Sequence, residues 1–140
     1  MTTEFSCGAV VYFIDNQQMI FLLLHYFSGH WDFPKGNKER GENHIDTIRR
    51  EIKEETGISD VTFIDGFEKA ISYNYTRENE LISKKVLYRL ARTHSKDVVL
   101  SSEHMNFEWD PYEIALKRLT YKKSKEILTE GYKFLKMYNF

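Results

Sequence analysis

The stretch "GNKERGENHIDTIRREIKEETGI" (36–58) crowds Glu51, Glu54 and Glu55 into five residues of a segment patterned as a helix. Ile45, Ile48 and Ile52 recur at i, i+3 and i+7, which makes one apolar stripe. Thr56-Gly57 predicts where the helix ends, because glycine takes the left-handed position after a helix at little cost. At ~100° per residue the three glutamates fall within an arc of about 100° beside that stripe. Like charges at this spacing each cost roughly 0.2–0.5 kcal/mol. Glu54 and Glu55 also lie near the negative end of the helix dipole. One explanation is a solvated face laced by Arg49, Arg50 and Lys53. The other is a hard divalent cation: carboxylate oxygens suit Mg2+ or Mn2+, and no cysteine or histidine cluster argues for zinc.

Working outward, "FSCGAVVYFI" (5–14) and "MIFLLLHYF" (19–27) read as a strand pair joined by the turn residues "DNQQ", the second strand apolar enough to be buried on both faces. "SGHWDFPKG" (28–36) is a shaped connection into the helix. Residues 61–75 and 84–93 read as further strands, joined by the polar "TRENELIS". "MNFEW" (105–109) predicts a short strand. Asp110-Pro111 then predicts a helix start, with Asp110 as N-cap and Pro111 at the first helical position. A last amphipathic helix is expected over 120–138, with Ile127, Leu128, Gly131, Leu135 and Tyr138 inward. This order suits an α+β fold, a mixed sheet covered by helices.

With 140 residues, 41% of them hydrophobic, one domain over 1–140 is expected. A formal charge of −1 argues against duplex DNA or an anionic membrane held by bulk electrostatics. No run approaches ~18 apolar residues, so no membrane span is expected. The opening "MTTEFSCGAVVYF" lacks a signal-peptide pattern. Cys7, the single cysteine, reads as a small buried hydrophobe, and a reducing cytoplasm is the expected location.

Gly36, Glu42, Arg50, Glu51, Ile52, Glu54, Glu55, Gly57 and Ile58 match at every fixed place a signature of glycine, five residues, Glu, seven residues, Arg-Glu, an aliphatic, any residue, Glu-Glu, any residue, glycine and an aliphatic. The chain therefore resembles the Nudix hydrolases. "HWDFPKG", "EH" at 103–104, Trp109 and "YKKSKEILTEGYKFL" further resemble the asymmetric diadenosine tetraphosphate (Ap4A) hydrolases. The resemblance implies the Nudix α/β/α sandwich and hydrolysis of a phosphoanhydride, Ap4A giving ATP and AMP.

By the same resemblance Glu54 and Glu55 are the main metal ligands, with the Gly36 carbonyl as another. Glu51 binds through metal or water or acts as base, Arg50 fixes a glutamate, and Glu42 stabilises the loop or reaches an outer metal. Glu103 completes the metal site or accepts the water's proton, and His104 is structural. His30, Lys35 and Lys84 are the phosphate donors, with Lys85 an alternative to Lys84 and Arg77 a weaker one. Tyr73 and Tyr121 sandwich an adenine, Tyr75 being the alternative to Tyr73, while Tyr88 belongs to the core. The expected cofactor is Mg2+, with Mn2+ as substitute. The expected partner is a nucleotide, with an RNA 5′ end as the alternative substrate, and a monomer is expected. A nucleotide sensor without catalysis is the rival outside enzymes, and it usually goes with a damaged signature.

Overall fold

The computed structural model describes residues 2–138. In chain order the elements are β1 (Thr2–Asp15), β2 (Gln18–Tyr26), β3 (Trp31–Asp32), β4 (Lys35–Asn37), α1 (His44–Thr56), β5 (Thr62–Arg77), β6 (Glu80–Arg92), β7 (His104–Pro111), α2 (Tyr112–Arg118) and α3 (Lys122–Met137). One seven-stranded sheet follows the order β3-β2-β1-β6-β5, with β4 on β1 and β7 on β2. β1 and β6 are parallel, Thr2 opposite Ile82 through Tyr12 opposite Arg92; every other pair is antiparallel. The sheet is therefore mixed, as expected.

Side-chain alternation along the strands divides the core in two. Val10, Tyr12, Tyr88 and Leu90 face α2 and α3, meeting Ala115, Leu119, Ile127 and Leu128. Cys7, Ala9, Val11, Leu87 and Ala91 face α1, meeting Ile48 and Ile52. In β2, Phe21 and Leu23 join the first layer while Leu22 and Leu24 join the second, which is why that strand reads as continuously apolar. Helices thus cover both faces, and no helix among the described residues is long and apolar enough to cross a membrane.

β1 divides its antiparallel partners between two segments. Ser6–Gly8 pair with β4, whereas Tyr12–Asp15 pair with β2. Between them the Ala9 amide donates to the Pro34 carbonyl at 3.2 Å. The shaped connection is therefore threaded into the sheet, and it delivers Gly36 to the side covered by α1.

Besides a longer first strand and a longer β7, three boundaries differ from the sequence reading for identifiable reasons. Strands β5 and β6 run on to Arg77 and from Glu80, so "TRENELIS" is mostly ladder. Only Glu78 and Asn79 turn, both at positive φ (51° and 65°), as a two-residue hairpin requires. Asp110 does not cap a helix: it pairs with Phe21 inside β7, and its carboxylate accepts from Arg118 Nε at 2.6 Å. Pro111 takes the N-cap place, at φ −63° and ψ 164°, and the helix starts at Tyr112. The last helix starts at Lys122, because Thr120 is tied to β3: its hydroxyl accepts from the Trp31 amide at 2.8 Å. Its inner face carries Ile127, Leu128, Gly131 and Leu135 with Ser124, while Tyr138 is 55% exposed at the C-cap.

Candidate functional site

Helix α1 is fixed at both ends before any charge is considered. Asn43 caps it, accepting from the Asp46 amide at 2.8 Å while Asp46 accepts from the Asn43 amide, a reciprocal capping box. Gly57 ends it at φ 77° with its amide on the Lys53 carbonyl. The Val99 and Ser101 amides then take up the Thr56 and Glu55 carbonyls, docking the 99–101 segment on the helix C-terminus. That docking brings Glu103 and His104 beside Glu55.

Arg50 organises the glutamates. Its Nε donates to Glu42 at 2.7 Å, one terminal nitrogen to Glu51 at 2.7 Å and to Glu54 at 3.2 Å, and the other to the Asn37 carbonyl and to Glu42, both at 3.0 Å. Glu42 also accepts from the Glu39 amide and the Thr47 hydroxyl. These bonds, led by Arg50, hold the Glu42 carboxyl down at about 2. Glu42 is therefore a loop anchor. Gly36 has a direct reason to be glycine: a Cβ there would come within 2.0 Å of the Glu51 carboxyl carbon.

Glu55 lies deeper. It is 4% exposed, and one of its carboxylate oxygens, Oε2, has no partner. Burial, then the charge of Glu51, pushes its carboxyl up to about 9, with Glu103 adding to the rise and the Lys35 amide opposing it. Burial also raises Glu51, helped by Glu54 and Glu103 and opposed by Arg50. His104 Nε2 is 3.9 Å from Glu55, yet burial lowers the imidazole's proton affinity while Glu55 is raised. At 3.9 Å the contact is too long for a hydrogen bond. Ser101 holds the other ring nitrogen of His104 at 2.9 Å, which gives this histidine a structural place.

A carboxylate that is buried, partly unpartnered and surrounded by others has the chemistry of a hard-cation site. The donors here, Glu51, Glu54, Glu55, Glu103 and the Gly36 carbonyl, are all oxygen, so they fit Mg2+ or Mn2+ and not a soft metal. Glu51 and Glu54 both turn toward Arg50, and among the described residues no three acidic, histidine or cysteine side chains already converge on one ion-sized point.

Next to this acidic patch opens a cleft of about 730 Å³. It brings together His30, Lys35, Tyr73, Lys84 and Tyr121, drawn from the connection after β2, from β4, β5 and β6 and from the α2–α3 link. His30 stacks on Tyr26 (4.6 Å, 6°) and approaches Tyr121 at 5.3 Å. Tyr26 in turn donates to the Phe33 carbonyl and sets its edge against His104, linking cleft and acidic patch. Lys84, not Lys85, lines the cleft; burial and the nearby Lys35 lower its proton affinity, partly offset by Glu4. Tyr75 lines the cleft as well, but its hydroxyl is bonded to Glu4 at 2.6 Å. Tyr88 is fully buried in the core and Arg77 pairs with Glu4, outside the cleft lining.

Sequence reasoning passed over six lining residues, of which Asp32, Lys122, Lys123 and Ser124 carry charge or a buried hydroxyl and Ser28 and Ile71 complete the wall. Asp32 is 1% exposed and holds Lys35 Nζ at 3.0 Å. Burial works against the Lys35 charge, but Asp32 outweighs it and raises the ammonium's proton affinity. Lys122, Lys123 and Ser124 line it beside Tyr121. Their signal was present in "YKKSK": lysines packed into the first turn of a helix, where the dipole is positive.

Comparisons with known proteins identify the family and the fold. The NUDIX domain family matches residues 6–130. The asymmetrical bis(5′-nucleosyl)-tetraphosphatase of Mus musculus is 35% identical over 142 aligned positions, covering 93% of this chain and 94% of that protein. A crystal structure of a C. elegans Ap4A hydrolase binary complex superposes with a TM-score of 0.84 at 31% identity, over 94% of this chain and 97% of that one. An RNA pyrophosphohydrolase of Bartonella bacilliformis matches less of the molecule, 38% identical over 48 residues, or 34% of this chain and 28% of that protein. Fold, signature helix and relatives agree: the chain belongs to the Nudix family.

Proposed function

We propose that this protein is a divalent-metal-dependent pyrophosphohydrolase of dinucleoside polyphosphates that converts Ap4A and water to ATP and AMP. The observation that carries the reading is the continuity of an aromatic, basic cleft with a buried acidic patch, since a nucleoside polyphosphate needs a flat surface at one end and charge handling at the other. Near-full-length similarity to a bis(5′-nucleosyl)-tetraphosphatase supports the substrate class.

In this reading Tyr73 and Tyr121 hold one adenine by stacking, worth ~1–3 kcal/mol per base. His30, Lys35 and Lys84 take the phosphates, with Asp32 fixing the Lys35 ammonium in place. Glu51, Glu54, Glu55, Glu103 and the Gly36 carbonyl would hold the Mg2+, which supplies Lewis acidity and lowers the pKa of a bound water. Glu103 or Glu51 accepts the proton as the water oxygen bonds to phosphorus. The bridging P–O bond breaks, and the departing phosphate keeps its electron pair. Arg50 keeps Glu51 and Glu54 in register throughout. The protein acts as a monomer in the cytoplasm.

Incubating the protein with Ap4A and Mg2+ tests this, with equimolar ATP and AMP expected and no turnover in chelator. Triphosphorylated RNA, run in parallel, should be cleaved more slowly; a faster rate on RNA would replace the substrate assignment and leave the metal chemistry in place.

A further inference from the structure

The first turn of α3 breaks the usual charge rule. It has no acidic residue, and it carries Lys122, Lys123 and Lys125 at the positive end of a sixteen-residue helix. Tyr121, at the N-cap, makes no side-chain capping bond. The first amide known to be used is that of Lys125, which reaches the Tyr121 carbonyl at 3.1 Å. The amides of 122–124 therefore have no partner inside the helix, as at every helix start. Two of the three ammonium groups are engaged: Lys123 donates to the Ser72 carbonyl and Lys125 to that of Leu116. Lys122 has no partner among the described residues, and it lines the cleft. Ser124, which also lines it, is 1% exposed, and its hydroxyl has no partner among the described residues. An uncapped helix start, a free cation and a buried, unpartnered hydroxyl thus meet at the aromatic end of the cleft. These are the ingredients of a phosphate cradle.

We propose that the start of α3, through the 122–124 amides, the Ser124 hydroxyl and the Lys122 ammonium, binds a phosphate group on the nucleoside held between the tyrosines. The cleft then has two sets of anion donors: Lys35 and Lys84 from the strands, and the start of α3. The phosphate belongs either to the 5′ chain or to the 3′ oxygen. Because this rests on the nucleotide reading, the test uses neither metal nor turnover.

Protein in EDTA is titrated with adenosine, AMP and adenosine 3′-monophosphate, following amide shifts by NMR. At least one of the two phosphorylated probes is expected to bind about fivefold or more tighter than adenosine. The Lys123 and Ser124 amides should move with that probe and stay put with adenosine; which probe does so identifies the source. Lys122→Glu, at an exposed position, should remove that phosphate preference by about fivefold while leaving adenosine affinity and Tm unchanged. If the preference survives Lys122→Glu but vanishes in Lys84→Ala, or if adenosine alone moves the same amides, the α3 site is wrong. If the nucleotides and adenosine all fail to bind, the nucleoside reading of the cleft falls, and this site with it.

Discussion

The acidic end of the site and its aromatic end differ in how many parts of the chain they need. The acidic end is chiefly one helix and the loop before it, and Arg50 alone spans Glu42, Glu51, Glu54 and the Asn37 carbonyl. The aromatic end needs four segments: the connection holding His30 and Asp32, β5 with Tyr73, β6 with Lys84, and the start of α3. The contrast extends to energetics. Carboxylates are held together against their repulsion by one guanidinium and a capped helix. The cleft walls are ordinary strand and helix positions that happen to converge. Under the proposed function, chemistry that tolerates little displacement would sit on the rigid element, and recognition where segments meet.

The largest effect is expected at the acidic end. Glu55→Gln removes a charge that is poorly solvated without a cation, so Ap4A turnover at saturating Mg2+ should fall by about 10³-fold. Folding should not suffer, because a neutral amide suits the buried site better than an ionised carboxylate. Near-normal turnover with Mg2+ would remove Glu55 from the chemistry and end the contrast in rigidity drawn above.

The same group gives a pH signature. With its folded-state value raised to about 9 from an ordinary 4.5, Glu55 binds its proton more tightly folded than unfolded. Metal-free protein is therefore stabilised at low pH and loses that contribution as pH rises from about 4.5 through 9. The expected Tm decrease is ~5 °C or more over that window. Mg2+ should cancel it at the alkaline end, and Glu55→Gln should flatten it. A metal-free Tm that rises through the window would mean that Glu55 is solvated.

At the aromatic end the losses are smaller and fall on binding. Tyr121 is 49% exposed, so Tyr121→Ala should leave the fold intact. Losing one face of the base stack should raise KM for Ap4A by ~10-fold with kcat nearly unchanged. A fall in kcat at constant KM would mean that Tyr121 acts on the reacting phosphate instead of on the base.

The same difference in construction decides what could be read from the sequence. A helix with isoleucines at i, i+3 and i+7 and glycine behind it has a fixed geometry, so the neighbourhood of Glu51, Glu54 and Glu55 was legible from spacing. Asp32 was not: next to a lysine three residues on it reads as surface charge, and only the sheet buries it at 1% exposure. Asp110-Pro111 carries a helix-start signal, but the ladder to β2 runs through both residues and Arg118 claims the carboxylate. The three lysines at the start of α3 were visible in the sequence, yet where a helix start points depends on Thr120 anchoring to Trp31, 89 residues away.

The smallest effect separates two neighbours on one strand. Tyr73 and Tyr75 are two residues apart in β5, so both face the cleft, their rings 6.2 Å apart. Alternation cannot choose between them, but bonding can. The Tyr75 hydroxyl is occupied by Glu4, which also receives Arg77 at 3.1 Å, so that ring is braced to the sheet rather than free to close on a base. Tyr75→Phe keeps the ring and loses two hydrogen bonds, one donated to Glu4 and a longer one accepted from Arg77 at 3.3 Å, together worth about 1 kcal/mol, so Tm should drop by ~2–4 °C with less than a twofold change in KM. Tyr73→Ala should raise KM several-fold more than Tyr75→Ala, by the ~1–3 kcal/mol of a stacked base. If the two alanine variants rank the other way, the adenine wall shifts to Tyr75, and its bond to Glu4 becomes what positions the wall.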